Sequence, residues 1–328
     1  VAVTTTPLVL LALPRGGFND MLCQLEICAR AAEATGRTLV VDTRQSGLED
    51  DLFACFDPAP GQRMVRVADW AGTVTVRAGR VEVAQGGSTT VWQVPGDDPS
   101  LRHGQDQAAD APILLHYSAG GGELGVRFLH RLRLKPALAQ RILAARRAVG
   151  GRYAAVHIRH TDYRTDFAGA FGLIARRMQG WRLLICSDSE APIVHFAETH
   201  GDAFDWTTSD AVRSSDHRSL HYSGGERVAE RNAEMLTDLY LMATAERLVM
   251  VDTLNSKRSG FAVLAAHMRR RLDVAALDRG TDGAGALDLK ARFPLWLRSL
   301  SGNPFRVWRL RKLGDRPGGR LVLHPTPE

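Results

Sequence analysis

The run Tyr153-Ala154-Ala155-Val156-His157-Ile158 passes at once into Arg159-His160-Thr161-Asp162-Tyr163-Arg164-Thr165-Asp166. The first six residues, apolar apart from one histidine, spell a short buried strand. The polar cluster behind them then lies at the carboxyl edge of that strand, where open α/β sheets bind their ligands. A guanidinium at Arg159 is shaped to hold a diphosphate through two parallel hydrogen bonds. Taken alone, the stretch reads equally as an ordinary strand followed by a charged surface loop.

The rest of the chain supplies context for a sheet of this kind. Leu8 to Leu13 reads as a first buried strand, running into Pro14-Arg15-Gly16-Gly17-Phe18-Asn19-Asp20. A helix follows from about Met21 to Thr35, with Met21, Leu25, Cys28 and Ala32 on one face. Asn19 or Asp20 is suited to cap its start, and Gly36 to end it. Leu39 to Asp42 is the next strand, so the chain opens as a doubly wound sheet. The first loop is glycine-rich, so its N–H groups can approach an anion. It matches neither Gly-x-Gly-x-x-Gly nor the Gly-Lys-Ser/Thr phosphate loop, and a plain strand-to-helix turn is the competing reading.

Residues 61–95 change character. Val74, Val76, Val81 and Val83 alternate with polar residues around Arg77-Ala78-Gly79-Arg80, which predicts a β-hairpin insertion. Gly120 to Gly122 marks a second flexible point, and Val126 to Val149 is expected to be helical, with Pro136 near a helix start. The second half alternates strands (153–159, 182–187, 248–251) with helices (191–200, 228–245, and one from Gly260). In the tail, aromatic and aliphatic residues from Phe293 to Leu310 interleave with arginines. Two readings fit it: an amphipathic segment on an anionic membrane, or a helix packed back on the first domain.

With 328 residues, 45% hydrophobic and 24% charged, the chain suits a soluble protein of two domains. Four cysteines without metal or disulfide spacing read as buried reduced thiols, and the run from Pro7 to Pro14 is too short to span a bilayer. No basic region precedes that run, so a signal peptide is not expected and the cytoplasm is. A net charge of +6 suits phosphorylated ligands. Nucleic acid is not an expected partner, since no helix-turn-helix, zinc or RNA-binding signature is present.

Three segments, in order, resemble the fucosyltransferases that use GDP-fucose on a two-Rossmann scaffold: the nodulation-factor and core α1,6-, the α1,2- and the protein O-fucosyltransferases. The first is Arg15-Gly16-Gly17-Phe18-Asn19 with the helix behind it and Gly36-Arg37-Thr38-Leu39-Val40. The second is His157-Ile158-Arg159-His160-Thr161-Asp162, close to the His-x-Arg-Arg/His motif. The third is Asp238-Leu239-Tyr240-Leu241, then Ala245 to Val251 and a serine loop at Asn255 to Ser259. Cys186-Ser187-Asp188 stands where the family often has Thr-Asp-Asp. The resemblance implies a GT-B glycosyltransferase, with two Rossmann-like doubly wound α/β domains facing across a cleft. Residues 1–125 would form the acceptor-side domain, 126–280 the nucleotide-sugar domain, and 281–328 a basic amphipathic tail.

The same resemblance implies the site. Arg159 would hold the donor's β-phosphate, with Arg15, Gly16, Gly17, Phe18, His157, His160, Asp188, Asp238, Asn255, Ser256, Ser259 and Gly260 around the nucleotide sugar. The chain departs from the family at Ser189, where a second aspartate is usual, and its longer serine loop leaves Ser256 and Ser259 as alternatives. The implied reaction is an inverting displacement onto a glycan or glycoconjugate hydroxyl, with GDP-fucose or another nucleotide sugar as donor substrate. No cofactor is implied, and no Asp-x-Asp metal motif accompanies the site. Arg159 would carry the developing negative charge. Asp162, Asp166 and His160 remain open as bases, and Asn19 as a positioning group. A non-catalytic module that binds a sugar nucleotide or glycan is the alternative from another class.

Overall fold

The computed structural model describes residues 8–77, 79–94, 101–102, 107–209, 211, 213–214, 227–255, 258–274, 277 and 287–289, and the backbone of 306–312 and 321–325. The chain divides into two units, Val1–Arg133 and Leu134–Glu328.

In the first unit the strand β1 (Val9–Pro14) is followed by the helix α1 (Phe18–Thr35) and the strand β2 (Thr38–Val41). Then come β3 (Phe56–Pro58), β4 (Met64–Arg66), β5 (Thr73–Arg77), β6 (Arg80–Gln85), β7 (Ser88–Gln93), β8 (Ile113–Ser118) and the short helix α2 (Gly125–Leu129). Four strands form a parallel sheet in the order β4-β2-β1-β8, with Val9 opposite both Thr38 and Ile113. Every residue of β1 is buried, as a central parallel strand requires. Leu11 and Leu13 meet Val81 and Val83 of β6 on one face. On the other face, His116 of β8 reaches α1 through Gln24.

The inserted segment is therefore a cover for the sheet. It is also not the single hairpin expected over 61–95. Met64–Arg66 pairs with β2, and β5, β6 and β7 form a three-stranded antiparallel meander. The second turn lies at Gly86-Gly87, both at positive φ (58° and 81°), as a two-residue hairpin turn demands. Helix α1 also differs: it starts at Phe18 rather than Met21, and its cap is Gly17, not Asn19 or Asp20. Asp20 contributes from inside the first turn, accepting the Gly17 N–H at 3.3 Å. Gly36 ends the helix in the left-handed conformation, as expected.

A strand β9 (Leu132–Leu134) and the helix α3 (Pro136–Val149) replace the continuous helix expected over 126–149. Buried Leu132 and Leu134 flank exposed Arg133, a two-residue period that no helix accommodates. Pro136 opens α3, where a missing N–H costs nothing. Because α2 packs on α1, the division between units falls after Arg133 rather than after residue 125.

The second unit continues with β10 (Tyr153–Ile158), α4 (Phe167–Arg177), β11 (Arg182–Ser187), α5 (Glu190–His200), β12 (Trp206–Thr208), α6 (Val228–Thr244), β13 (Arg247–Val251) and α7 (Gly260–Arg269). Two further strands, β14 (Arg306–Lys312) and β15 (Leu321–Pro325), complete the sheet β12-β11-β10-β13-β14-β15, parallel except for β15. The chain winds from β10 outward to β12, then crosses back to β13 on the other side of β10. The carboxyl ends of β10 and β13 thus border the point where strand order reverses. The core beneath them contains Val156, Ile158, Phe171, Ile185, Phe196 and Val249.

The packed-helix reading of the tail is corrected over residues 306–312, which form a strand that extends the sheet beside β13. Residues 278–286 and 290–305 lie outside the described residues. No helix among the described residues is long and apolar enough to cross a membrane.

Candidate active site

The sequence-predicted site residues fall into two groups, one in each unit. In the second unit, β10 delivers Arg159 at its carboxyl end. The guanidinium makes a fork with Asp162: Nε donates to Oδ1 at 2.8 Å and Nη2 to Oδ2 at 2.5 Å. The Tyr163 ring lies under it, 4.8 Å from the guanidinium carbon to the ring centroid. Burial alone would lower the Arg159 pKa, but the bond and charge of Asp162 outweigh it and leave it raised. Burial would raise the Asp162 carboxyl; Arg159 again prevails and holds it below its ordinary value. Such a depressed carboxylate is a weak proton acceptor.

Asp188, at the end of β11, ties the neighbouring loop to that strand. Its two oxygens accept the His160 N–H and the Thr161 hydroxyl, each at 2.7 Å, and so fasten the loop behind β10. Burial keeps its pKa raised despite these bonds. The loop has further ties. Thr165 donates its hydroxyl to the Arg159 carbonyl at 2.5 Å, and its N–H to His160 Nδ1 at 3.2 Å. His160 sits edge-on to Phe167 with centroids 4.8 Å apart and is buried in the loop. Asp166 caps α4 by accepting the Gly169 N–H.

His157 is buried, and desolvation together with the Arg159 charge pushes its pKa down to about 4, so the ring is neutral. It lies 6.0 Å from the Phe261 ring in the first turn of α7, which brings that helix start to the β10 edge. Ser259 caps α7 in extended geometry and is buried, while its side chain makes no capping bond; Gly260 begins the helix and Asn255 is exposed. A helix start with its first N–H groups directed outward suits an anion. Ser256 lies outside the described residues. The loops behind the two strands are joined where Leu254 N–H donates to the Arg164 carbonyl at 2.8 Å. Asp238 is buried on α6, and its charge reaches Cys186 on β11.

In the first unit, Arg15 leaves β1 with its guanidinium 5.2 Å over Tyr117, and its N–H donates to the Ser118 carbonyl. Gly16, at φ 85°, turns the chain into Gly17 and buried Phe18. Asn19 is buried too: Nδ2 donates to the Gly122 carbonyl at 3.0 Å, and Oδ1 would lie 2.5 Å from a Cβ at Gly125. Gln24 extends this bracing, donating to the Gly120 carbonyl at 2.5 Å and meeting His116 Nε2 at 3.0 Å. The triple-glycine stretch is thus pinned to α1, not a flexible point. Asn19 is fixed by that brace.

Sequence reasoning missed Gln24, His116 and Thr165, and placed Thr161 in the motif without a role. Only the threonines left a local signal, as short hydroxyl residues in a tight polar loop.

No protein-family model and no curated protein matches the chain. Solved structures do. The NodZ alpha-1,6-fucosyltransferase co-crystallised with GDP is similar over 99% of this chain and 100% of its own, with a TM-score of 0.56 at 18% identity. The same enzyme soaked with GDP-fucose aligns over 98% and 100%, with a TM-score of 0.55 at 16% identity. Fucosyltransferase NodZ from Bradyrhizobium aligns over 80% and 93%, with a TM-score of 0.52 at 19% identity. The chain therefore carries the α/β fold of the NodZ fucosyltransferases, in agreement with the resemblance in its three motifs.

Proposed function

We propose that this chain is an inverting, metal-independent glycosyltransferase of GT-B architecture, moving fucose from GDP-fucose to a hydroxyl of a glycan or glycoconjugate. The carrying observation is Arg159 at the carboxyl end of β10, beside the reversal of strand order, in a fold shared with an enzyme whose crystals hold GDP and GDP-fucose. In this reading the acceptor oxygen attacks the anomeric carbon, the bond from that carbon to the β-phosphate oxygen breaks, and the hydroxyl proton passes to a carboxylate. Arg159 receives the charge that grows on the departing diphosphate, with the α7 start at Ser259 and Gly260 adding backbone dipoles. Asp238 and His157 shape the donor pocket from the same unit. Asp162 is the favoured base only once its fork with Arg159 is broken, since that pairing is what makes it a weak acceptor; Asp166 is engaged as a helix cap and His160 within its loop. Four buried free cysteines fit a reducing, cytoplasmic setting.

The test is turnover of labelled GDP-fucose, with and without acceptor sugars. Wild type should release GDP, and Arg159→Ala should lose roughly a hundred- to a thousandfold in rate. An unchanged rate in the variant would remove Arg159 from the chemistry. Binding of GDP-fucose with no turnover under any acceptor would favour a non-catalytic sugar-nucleotide module.

A further inference from the structure

The two N–H groups that Arg159 would turn to a phosphate already hold a carboxylate. Nε and Nη2 both point at Asp162, in the side-on fork that guanidinium makes equally with carboxylate or phosphate. The remainder of the loop has its own anchors. His160 and Thr161 hang on Asp188, Thr165 hangs on the Arg159 carbonyl, and Asp166 caps α4. Beyond the fork, Asp162 has a 3.3 Å contact from the Thr161 hydroxyl, which lies closer to Asp188, and a bond from its own backbone N–H. Its side chain is 34% exposed, and an outward swing would leave the bonds that hold His160, Thr161, Thr165 and Asp166 in place.

We propose that Asp162 is a built-in placeholder for the donor's diphosphate, holding the Arg159 fork until the β-phosphate displaces it. This rests on the donor reading above. The Nε–Nη2 edge cannot serve two anions at once, and a carboxylate left there would repel a phosphate bound at the remaining Nη1 donors. A half-buried guanidinium with no partner would carry an uncompensated desolvation cost, which the carboxylate offsets while fixing the orientation of the fork against Tyr163. Displacement lowers donor affinity by whatever the fork is worth. Only a ligand that brings a β-phosphate meets this term, so the placeholder acts on GDP and not on GMP.

The experiment is calorimetric titration of GDP and GMP into wild type and Asp162→Asn at fixed salt. The variant should bind GDP about three- to fivefold more tightly, the worth of a partly exposed charge pair, and GMP within about 1.5-fold of wild type. Equal or weaker GDP binding by Asp162→Asn would overturn the placeholder and leave the donor reading standing, since Asp162 would then be orienting Arg159 in the complex. An equal gain for GMP would also overturn it, as general charge repulsion. Absence of GDP binding in wild type and variants alike would bring down the donor reading and the placeholder with it. Asp162→Ser, checked with Asp162→Asn for native thermal unfolding, must move GDP affinity in the same direction.

Discussion

Replacing His157 with glutamine should flatten the acid side of the stability profile. The folded chain keeps this ring neutral by burial and by the neighbouring Arg159, at a pKa of about 4 against an ordinary 6.5. Below 6.5 the unfolded chain takes up a proton that the folded chain refuses, so stability falls as pH drops and levels off near 4. The full gap is worth about 3 kcal/mol, and about 2 kcal/mol of it is already lost at about pH 5. Asp162, whose pKa is depressed, also loses stability on acidification, but equally in wild type and variant. Urea unfolding at about pH 7.5 and about pH 5 isolates the histidine. The difference in unfolding free energy between the two pH values should be about 2 kcal/mol smaller in His157→Gln. Parallel profiles for the two proteins would mean that His157 titrates normally, and would refute its burial beside a charged Arg159.

Asp188→Ala should cost about 2–4 kcal/mol in chemical denaturation, because two charge-assisted bonds to the β10 loop are lost together. Asp188→Asn keeps an acceptor oxygen and should lose about half as much; equal losses would mean that the loop does not hang on those bonds. Gly125→Ala should destabilise by about 1–3 kcal/mol, since its Cβ would stand 2.5 Å from the buried Asn19 Oδ1. Adding Asn19→Ala should recover part of that loss, and strict additivity in the double-mutant cycle would argue against the contact.

What could be read from the sequence was what is local. The apolar run at 153–158 and the polar cluster behind it need only neighbouring residues to be recognised, and so do the capping Gly36 and the Pro136 helix start. Register and partner choice are not local. The alternation of Leu132, Arg133 and Leu134 is only three residues long, too short to stand out from the helical patterns on either side. The tail's tryptophan, valine and leucine suit an amphipathic helix as readily as a strand, and only pairing with β13 decides between them. At the site, residue types were legible but not their engagements. Asn19 looked like a cap or a catalytic group, and it braces a carbonyl 103 residues away. Asp188 stood out as a ligand contact, and nothing in the sequence signalled that both of its oxygens also hold the neighbouring loop.

The most direct test of the account is a thermal-shift comparison of wild type and Arg159→Ala with GDP, GDP-fucose, and UDP-, CMP- and dTDP-linked sugars. A ligand at about a hundred times its Kd adds roughly 2.7 kcal/mol to stability. The account predicts stabilisation of wild type by GDP and GDP-fucose, lost in Arg159→Ala, and none by the other nucleotides. Equal stabilisation of wild type and variant by GDP-fucose, or a response to UDP, CMP or dTDP compounds instead, would contradict it.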